Sequence, residues 1–292
     1  MSTSYQARAS SAVRSTSEKS PVQILVGDVR DVIKTIPDET FNCCITSPPY
    51  WGMRDYGVDN QIGAEDDVSL YIQELTSLFS DVKRTLKTDG TLWLNISNTY
   101  TSGGRKWRAA DSKNHGRAMR YRPDTPKGLK KKDLIGVAWM LAMALQQDGW
   151  YLRSDIIWYK PNCQPESVKD RVTQAHEYLF MLSKNEKYYF NQSLIKEPRE
   201  DGRGMKNKRS VWQINTEPCK DAHFAVFPRA LVMPCVLAGC PKDGMLLDPF
   251  FGSGTVGVVA IETGRQCIGI ELNPQFVEIA KKRLASAQPS LF

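Results

Sequence analysis

The chain has 292 residues, 41% hydrophobic and 24% charged, enough apolar material for one large α/β domain or two smaller ones. No apolar run reaches membrane-spanning length, and the seven cysteines form no CxxC pair, so neither a membrane partner nor a metal site is expected and a reducing, cytoplasmic setting is. The net charge of +7 is confined: from Arg105 to Lys132 eleven Lys/Arg face only Asp111 and Asp124, a net +9, so the remainder carries −2.

Residues 1–20 are rich in Ser, Thr and Ala and read as a disordered tail, leaving 21–292 as the folded domain. Val22–Val26 is a strand ending at Gly27-Asp28, and Val29–Ile36 a short helix stopped by Pro37. Asp28 has two readings here, a helix cap or a carboxylate at the carboxyl edge of a sheet, where open α/β sheets bind ligands. Phe41–Ile45 is a buried strand that stops at Thr46-Ser47-Pro48-Pro49-Tyr50-Trp51, because two prolines cannot donate to a ladder.

Apolar residues at three-to-four spacing from Val68 to Leu86 predict an amphipathic helix closed near Gly90. Thr91–Ile96 is a strand. Arg105–Lys132 shows no period and reads as a loop. Asp133 is placed to cap a helix to about Gln147, and Tyr151–Tyr159 is a strand. His176–Ser183 and Tyr188–Phe190 read as a hairpin, and Lys196–Arg209 as a loop. Phe227–Gly239 is helical with Pro234 inside it. Met245–Asp248, Val256–Glu262, Cys267–Glu271 and Pro274–Ala287 then alternate strand, helix, strand, helix. The alternation predicts an α/β fold with a mainly parallel sheet.

Two clusters carry chemistry. In Asp248-Pro249-Phe250-Phe251-Gly252-Ser253-Gly254-Thr255, Gly252 and Gly254 allow close backbone approach, and Thr255 opens a helix whose free N–H groups face the ligand. Glu271, at the end of the next strand, is placed to accept from ribose hydroxyls. Phe250 and Asp248 offer a ring and a charge where a phosphate would want space, so a cationic, phosphate-free nucleoside fits, as in S-adenosylmethionine (AdoMet). The second cluster is Ser47-Pro48-Pro49-Tyr50, where an acceptor hydroxyl and rigid carbonyls sit at a strand end.

Ile45-Thr46-Ser47-Pro48-Pro49-Tyr50 resembles the catalytic motif of amino-group DNA methyltransferases, and Asp248–Thr255 resembles their AdoMet motif. The catalytic motif comes first, the order of the β group. The Thr-Ser-Pro-Pro-Tyr form is similar to the N4-cytosine subset, whereas adenine-N6 enzymes more often carry Asp or Asn for the Ser. The resemblance implies a Rossmann-like AdoMet-dependent methyltransferase fold, with helices on both faces and small DNA-recognition insertions. It implies that Ser47 Oγ and the Pro48 carbonyl align the amine, Pro49 stiffens the turn, and Tyr50 stacks on a flipped base, with Trp51 widening the platform. It places Asp28 near the adenine amino group, and the segment near His223 beside the methionine end.

The implied partner is double-stranded DNA, together with a restriction endonuclease acting on the same site; monomer and homodimer both stay open. Arg105, Lys106, Arg108, Lys130, Lys131 and Lys132 are expected to hold phosphates. Arg199, Arg203, Arg209 and Gln213, within about 185–221, are candidates for base edges. Adenine-N6 methylation stays open as an alternative, as does a chain that binds AdoMet and DNA without catalysis. A C5-cytosine enzyme would need a nucleophilic Cys after Pro, and Cys219 and Cys235 both read as structural.

Overall fold

The computed structural model describes residues 20–54, 58, 61–101, 122–217 and 228–289. The tail read at 1–20 lies outside them except for its last residue, as do Arg105, Lys106, Arg108, Cys219 and the segment around His223.

In chain order, β1 (Val22–Val26) leads into α1 (Val29–Val32), then β2 (Phe41–Thr46), α2 (Val68–Thr85) and β3 (Leu86–Ile96). Two short strands, β4 (Thr99–Tyr100) and β5 (Leu134–Ile135), precede α3 (Val137–Gln147), β6 (Tyr151–Tyr159) and β7 (His176–Ser183). Short strands β8 (Glu197–Pro198), β9 (Met205–Lys206) and β10 (Val211–Gln213) follow. The chain closes with α4 (Arg229–Gly239), β11 (Met245–Asp248), α5 (Thr255–Glu262), β12 (Gln266–Glu271) and α6 (Pro274–Ala285).

Among the described residues, eight strands form one sheet in the order β1-β12-β11-β2-β3-β7-β6-β10, in which β7 alone runs against its neighbours. Side chains alternate between the faces, as strand geometry requires. Cys44, Leu92, Leu94, Leu247 and Ile270 pack with α1, α2 and α3. Cys43, Ile45, Trp93, Leu246 and Cys267 pack with α4, α5 and α6. The chain is thus a three-layer α/β fold.

One edge of the sheet collects the carboxyl ends of β1, β2, β3, β6, β10, β11 and β12. Because β7 is antiparallel, its amino end arrives at that same edge: Tyr178 lies opposite Ile96, and Glu177 opposite Trp158.

Several local expectations are corrected. Helix α2 stops at Thr85 with Leu86 extended, and Gly90 lies within β3, because Leu86 already pairs with Phe41. Asp133 accepts from the Lys130 amide at 2.7 Å instead of capping α3, whose Ala138 N–H is taken by Asn98 Oδ1 at 2.9 Å. Tyr188–Phe190 is not a strand; β7 pairs instead with β3 and β6, and Phe190 stacks on Trp93. The expected loop at 196–209 holds the β8–β9 hairpin, and the three-residue β10 behind it joins the main sheet.

The basic stretch is anchored at a neck. Antiparallel β4 and β5 bring its two ends together, the Thr101 amide donates to the Asp133 carbonyl at 3.0 Å, and the Lys132 amide to Thr101 Oγ1 at 2.8 Å.

Candidate active site

A cleft of about 290 Å³ opens at the carboxyl edge, near the size expected of a small-molecule site. Its walls include Asp28, Ser47, Tyr50, Asn95, Lys160, Glu177, Phe250 and Glu271. The topology brings these together from seven separate segments.

One wall is the glycine loop between β11 and α5. Gly252 N–H donates to Glu271 Oε2 and Asn273 N–H to Glu271 Oε1, both at 2.7 Å, so Glu271 holds the loop that it faces. Burial raises the pKa of Glu271, against the pull of those amides. Phe250, Gly252, Ser253 and Thr255 line the cleft. Gly254 does not; it takes a positive φ of 79°, and a Cβ there would meet Ala280 and Phe251, so its part is to let α5 start against α6. Arg283, which sequence reasoning missed, reaches back from α6 to the Ser253 carbonyl at 2.7 Å and Ser253 Oγ at 2.6 Å.

Asp28 lines the cleft and also caps α1, accepting the Arg30 amide at 2.9 Å, so both readings of it hold. The Arg30 side chain grips the carboxylate and holds its pKa below the usual range, so the group stays ionised.

Asp248 is a correction. It is 1% exposed and lies beneath the loop rather than on the cleft wall. Its Oδ1 accepts from Thr46 Oγ1 at 2.7 Å and from the Phe250 amide at 3.1 Å, tying the ends of β2 and β11 together. Its Oδ2 is buried with no hydrogen-bond partner among the described residues. Burial pushes its pKa from an ordinary 3.8 up to about 7. The folded state then keeps a proton that the unfolded chain has already lost between about pH 4 and 7. Stability is therefore full below that window and falls as pH rises through it. Asp248→Asn should flatten this slope, which is on the order of a few kcal/mol for the native chain. Urea unfolding at pH 5 and pH 8 checks it, and an unchanged slope would move the titration elsewhere.

The facing wall is the turn after β2. Ser47 Oγ lies 3.4 Å from Tyr50 Oη and donates to it, which leaves the serine lone pairs for an incoming amine hydrogen. Tyr50 Oη donates to Glu177 Oε2 at 2.7 Å and lies 3.2 Å from Asn95 Oδ1. Burial, and next the nearby Glu177 charge, push the Tyr50 phenol well above its ordinary pKa. The Pro49 carbonyl accepts from Tyr71 Oη at 2.9 Å and so braces the turn from α2.

Trp51 is a second correction: it is 3% exposed, packs in the core under α2, and donates from Nε1 to the Glu65 carbonyl at 2.9 Å. It does not widen a base platform. Trp158 and Lys160, from the end of β6, line the cleft instead, with the ammonium 4.2 Å from the Trp158 ring centroid. Lys160 also pairs with Glu177 Oε1, each side chain 16% exposed. Asn95, Trp158, Lys160 and Glu177 were not singled out from the sequence. The signal for Glu177 was a carboxylate at the first turn of an apolar strand, but only the strand's direction sends it to this edge.

The DNA-facing candidates divide. Lys130, Lys131 and Lys132 are exposed, with Lys132 paired to Asp170 at 2.5 Å. Pro123, near the return of the basic stretch, packs against Gly52, just past the Ser47 turn. Arg203, Arg209 and Gln213 are exposed, while Arg199 pairs with Asp201 at 3.2 Å inside the β8–β9 hairpin. Cys235 is fully buried in α4 and burial raises its thiol pKa, as a structural cysteine requires.

The sequence matches the DNA methylase family N6_N4_Mtase over residues 41–282. It is 62% identical to the Type II methyltransferase M.SmaI of Serratia marcescens, over 90% of each chain. The fold is similar to that of the PvuII DNA methyltransferase (cytosine-N4-specific), with a TM-score of 0.66 at 18% identity, covering 92% of this chain and 94% of that one. It is also similar to the M1.HpyAVI–SAM complex, with a TM-score of 0.59 at 19% identity, covering 90% and 98%. A match across most of the sequence, with both motifs meeting in one cleft, settles the matter: the chain belongs to the DNA methylase family.

Proposed function

We propose that this DNA methylase transfers a methyl group from AdoMet to the exocyclic N4 amine of a cytosine flipped out of duplex DNA. The observation that carries the reading is Ser47: a hydroxyl whose proton is directed to Tyr50, facing the glycine loop across one cleft. The cleft's chemistry suits the methyl donor. Glu271 offers a carboxylate to the ribose hydroxyls and Asp28 one beside the adenine amino group, while Phe250 and Ile270 offer apolar surface to the base. When bound, AdoMet supplies an electrophilic methyl group.

The chain's own residues then have distinct tasks. The N4 lone pair of cytosine is delocalised into the ring. Ser47 Oγ and the Pro48 carbonyl accept its two hydrogens and draw the nitrogen towards a tetrahedral shape. The turn is already held by Tyr71 and the two prolines, so alignment costs little entropy at reaction. Ser at this position and the cytosine-N4-specific PvuII fold support cytosine over adenine.

Lys130, Lys131 and Lys132, with Arg105, Lys106 and Arg108, are proposed to hold phosphates beside the cleft. Arg203 and Arg209 are the candidates for base edges. The Type II relative supports a partner endonuclease acting on the same site.

Incubating duplexes of mixed sequence with AdoMet, then analysing digested nucleosides by mass spectrometry, tests the reading. N4-methylcytosine is expected. N6-methyladenine would overturn the target base, and AdoMet binding without any methyl transfer would overturn catalysis.

A further inference from the structure

Amine methylation leaves a proton to dispose of. The N4 lone pair forms the N–C bond as the sulfonium S–C bond breaks, with that electron pair remaining on sulfur as a thioether. The product nitrogen then carries a positive charge and one hydrogen too many. A seated base covers the floor of the cleft, so the proton needs a route through the protein.

We propose that it leaves through a relay built into the cleft floor, from Ser47 Oγ to Tyr50 Oη to the carboxylate of Glu177. This rests on the amino-methyltransferase reading given above. The links are in place: Ser47 Oγ donates to Tyr50 Oη at 3.4 Å, and Tyr50 Oη donates to Glu177 Oε2 at 2.7 Å. The first contact is long, and catalytic hydrogen bonds of that length tighten as the substrate seats. The amine proton passes to Ser47 as the serine proton passes to Tyr50 and the tyrosine proton to Glu177. The amine ends neutral, both hydroxyls are restored, and the carboxylate becomes a neutral carboxyl that returns its proton to solvent between turnovers.

The surroundings suit that task. Tyr50 stays a protonated donor, because burial and the Glu177 charge oppose its ionisation. Lys160 from β6 pairs with Glu177 Oε1, which leaves Oε2 to face Tyr50. Asn95 Nδ2 from β3 donates to Glu177 Oε2 at 3.1 Å and to the Tyr178 carbonyl at 3.0 Å, fixing the carboxylate's orientation. His176 and Tyr178 flank it on β7. Glu177 acts through two hydroxyls, so it is a positioning residue and proton sink rather than a group on the base.

Single-turnover methylation in H2O and D2O, across pH, with wild type, Glu177→Gln, Tyr50→Phe and the double variant, tests this. Phe keeps the ring and removes only the hydroxyl; Gln keeps an acceptor and removes only the basicity. Each single change should slow transfer by roughly 100-fold, with AdoMet and DNA affinities held within about threefold. The double variant should be no slower than the slower single one, and the wild-type solvent isotope effect should vanish in all three.

A wild-type rate and pH profile in Glu177→Gln would overturn the relay, as would losses that multiply in the double variant. A slow Glu177→Gln beside a wild-type-like Tyr50→Phe would also overturn it and put Glu177 directly on the base. If Gln beside Lys160 prevents folding, Tyr50→Phe carries the test: slowed transfer without the solvent isotope effect supports the relay, and a wild-type rate with that effect intact overturns it. Loss of the parent reading would show separately, as no methyl transfer by wild type.

Discussion

Ser47→Ala is expected to lower single-turnover methyl transfer by roughly 10²- to 10³-fold, the scale for removing one preorganised transition-state hydrogen bond. AdoMet affinity should hardly change, because the loop that faces the donor is braced by Glu271 and Arg283 and not by Ser47. The turn should also survive. Its carbonyl at Pro49 is held by Tyr71, and the Gly52 amide donates to the Gly63 carbonyl at 2.8 Å. Tyr50 keeps its shorter bond to Glu177, so the variant removes one acceptor without collapsing the floor. Isothermal titration with AdoMet and rapid-quench methylation separate the two quantities. A wild-type rate would remove Ser47 from the reaction.

Gly269→Ala should damage the opposite wall. Gly269 sits in mid-strand on β12, and the Phe251 ring lies over it; an added Cβ would fall 2.2 Å from two ring carbons. Neither side can yield cheaply. The strand is paired on both flanks, with Ile24 and with Asp248, and the Phe251 amide donates to the Ile270 carbonyl at 2.9 Å. Overpacking of this kind costs about 1–3 kcal/mol and shifts neighbouring backbone. The backbone that would move carries Phe250, Gly252 and Ser253 into the cleft. Donor affinity is therefore expected to fall at least about tenfold, the equivalent of about 1.4 kcal/mol, along with thermal stability. Gly264→Ala is the comparison: its φ is 67° but nothing lies within 4 Å, so it should strain a turn and leave AdoMet binding intact. Equal affinities in the two variants would show that the Phe251–Gly269 contact does not set the loop.

What was legible in the sequence follows physical lines. The β2 turn and the glycine loop announce themselves locally: prolines end a ladder, glycines open a backbone, and an apolar run before each marks a buried strand. Glu271 was legible because its spacing from the glycine loop is set by one helix and one strand. Glu177 and Lys160 were not, because their place depends on β7 running backwards between β3 and β6, a pairing decided by contacts far apart in the chain. The same non-local pairing explains the mistaken hairpin: His176–Ser183 finds partners on both sides and has no use for Tyr188–Phe190. Strand β10 is three residues long, too short for a period to show. Trp51 was misread because a ring next to a functional turn looks the same in sequence whether it faces the ligand or the core. Asp248 was read as a ligand contact from its charge and its place in the glycine-loop motif, whereas its burial makes it a strut under the loop.

The neck formed by β4 and β5 has a consequence for how freely the basic stretch can vary. The stretch between Thr101 and Lys132 begins and ends at one point on the scaffold, already pinned. Closing a loop costs only slowly more as it grows, about 0.6 kcal/mol for each doubling in length. The segment can therefore be lengthened, shortened or exchanged for another while Asn95, six residues upstream on β3, keeps its place over Glu177. The sheet edge stays as it is, and the neck works as a socket into which different inserts can be fitted.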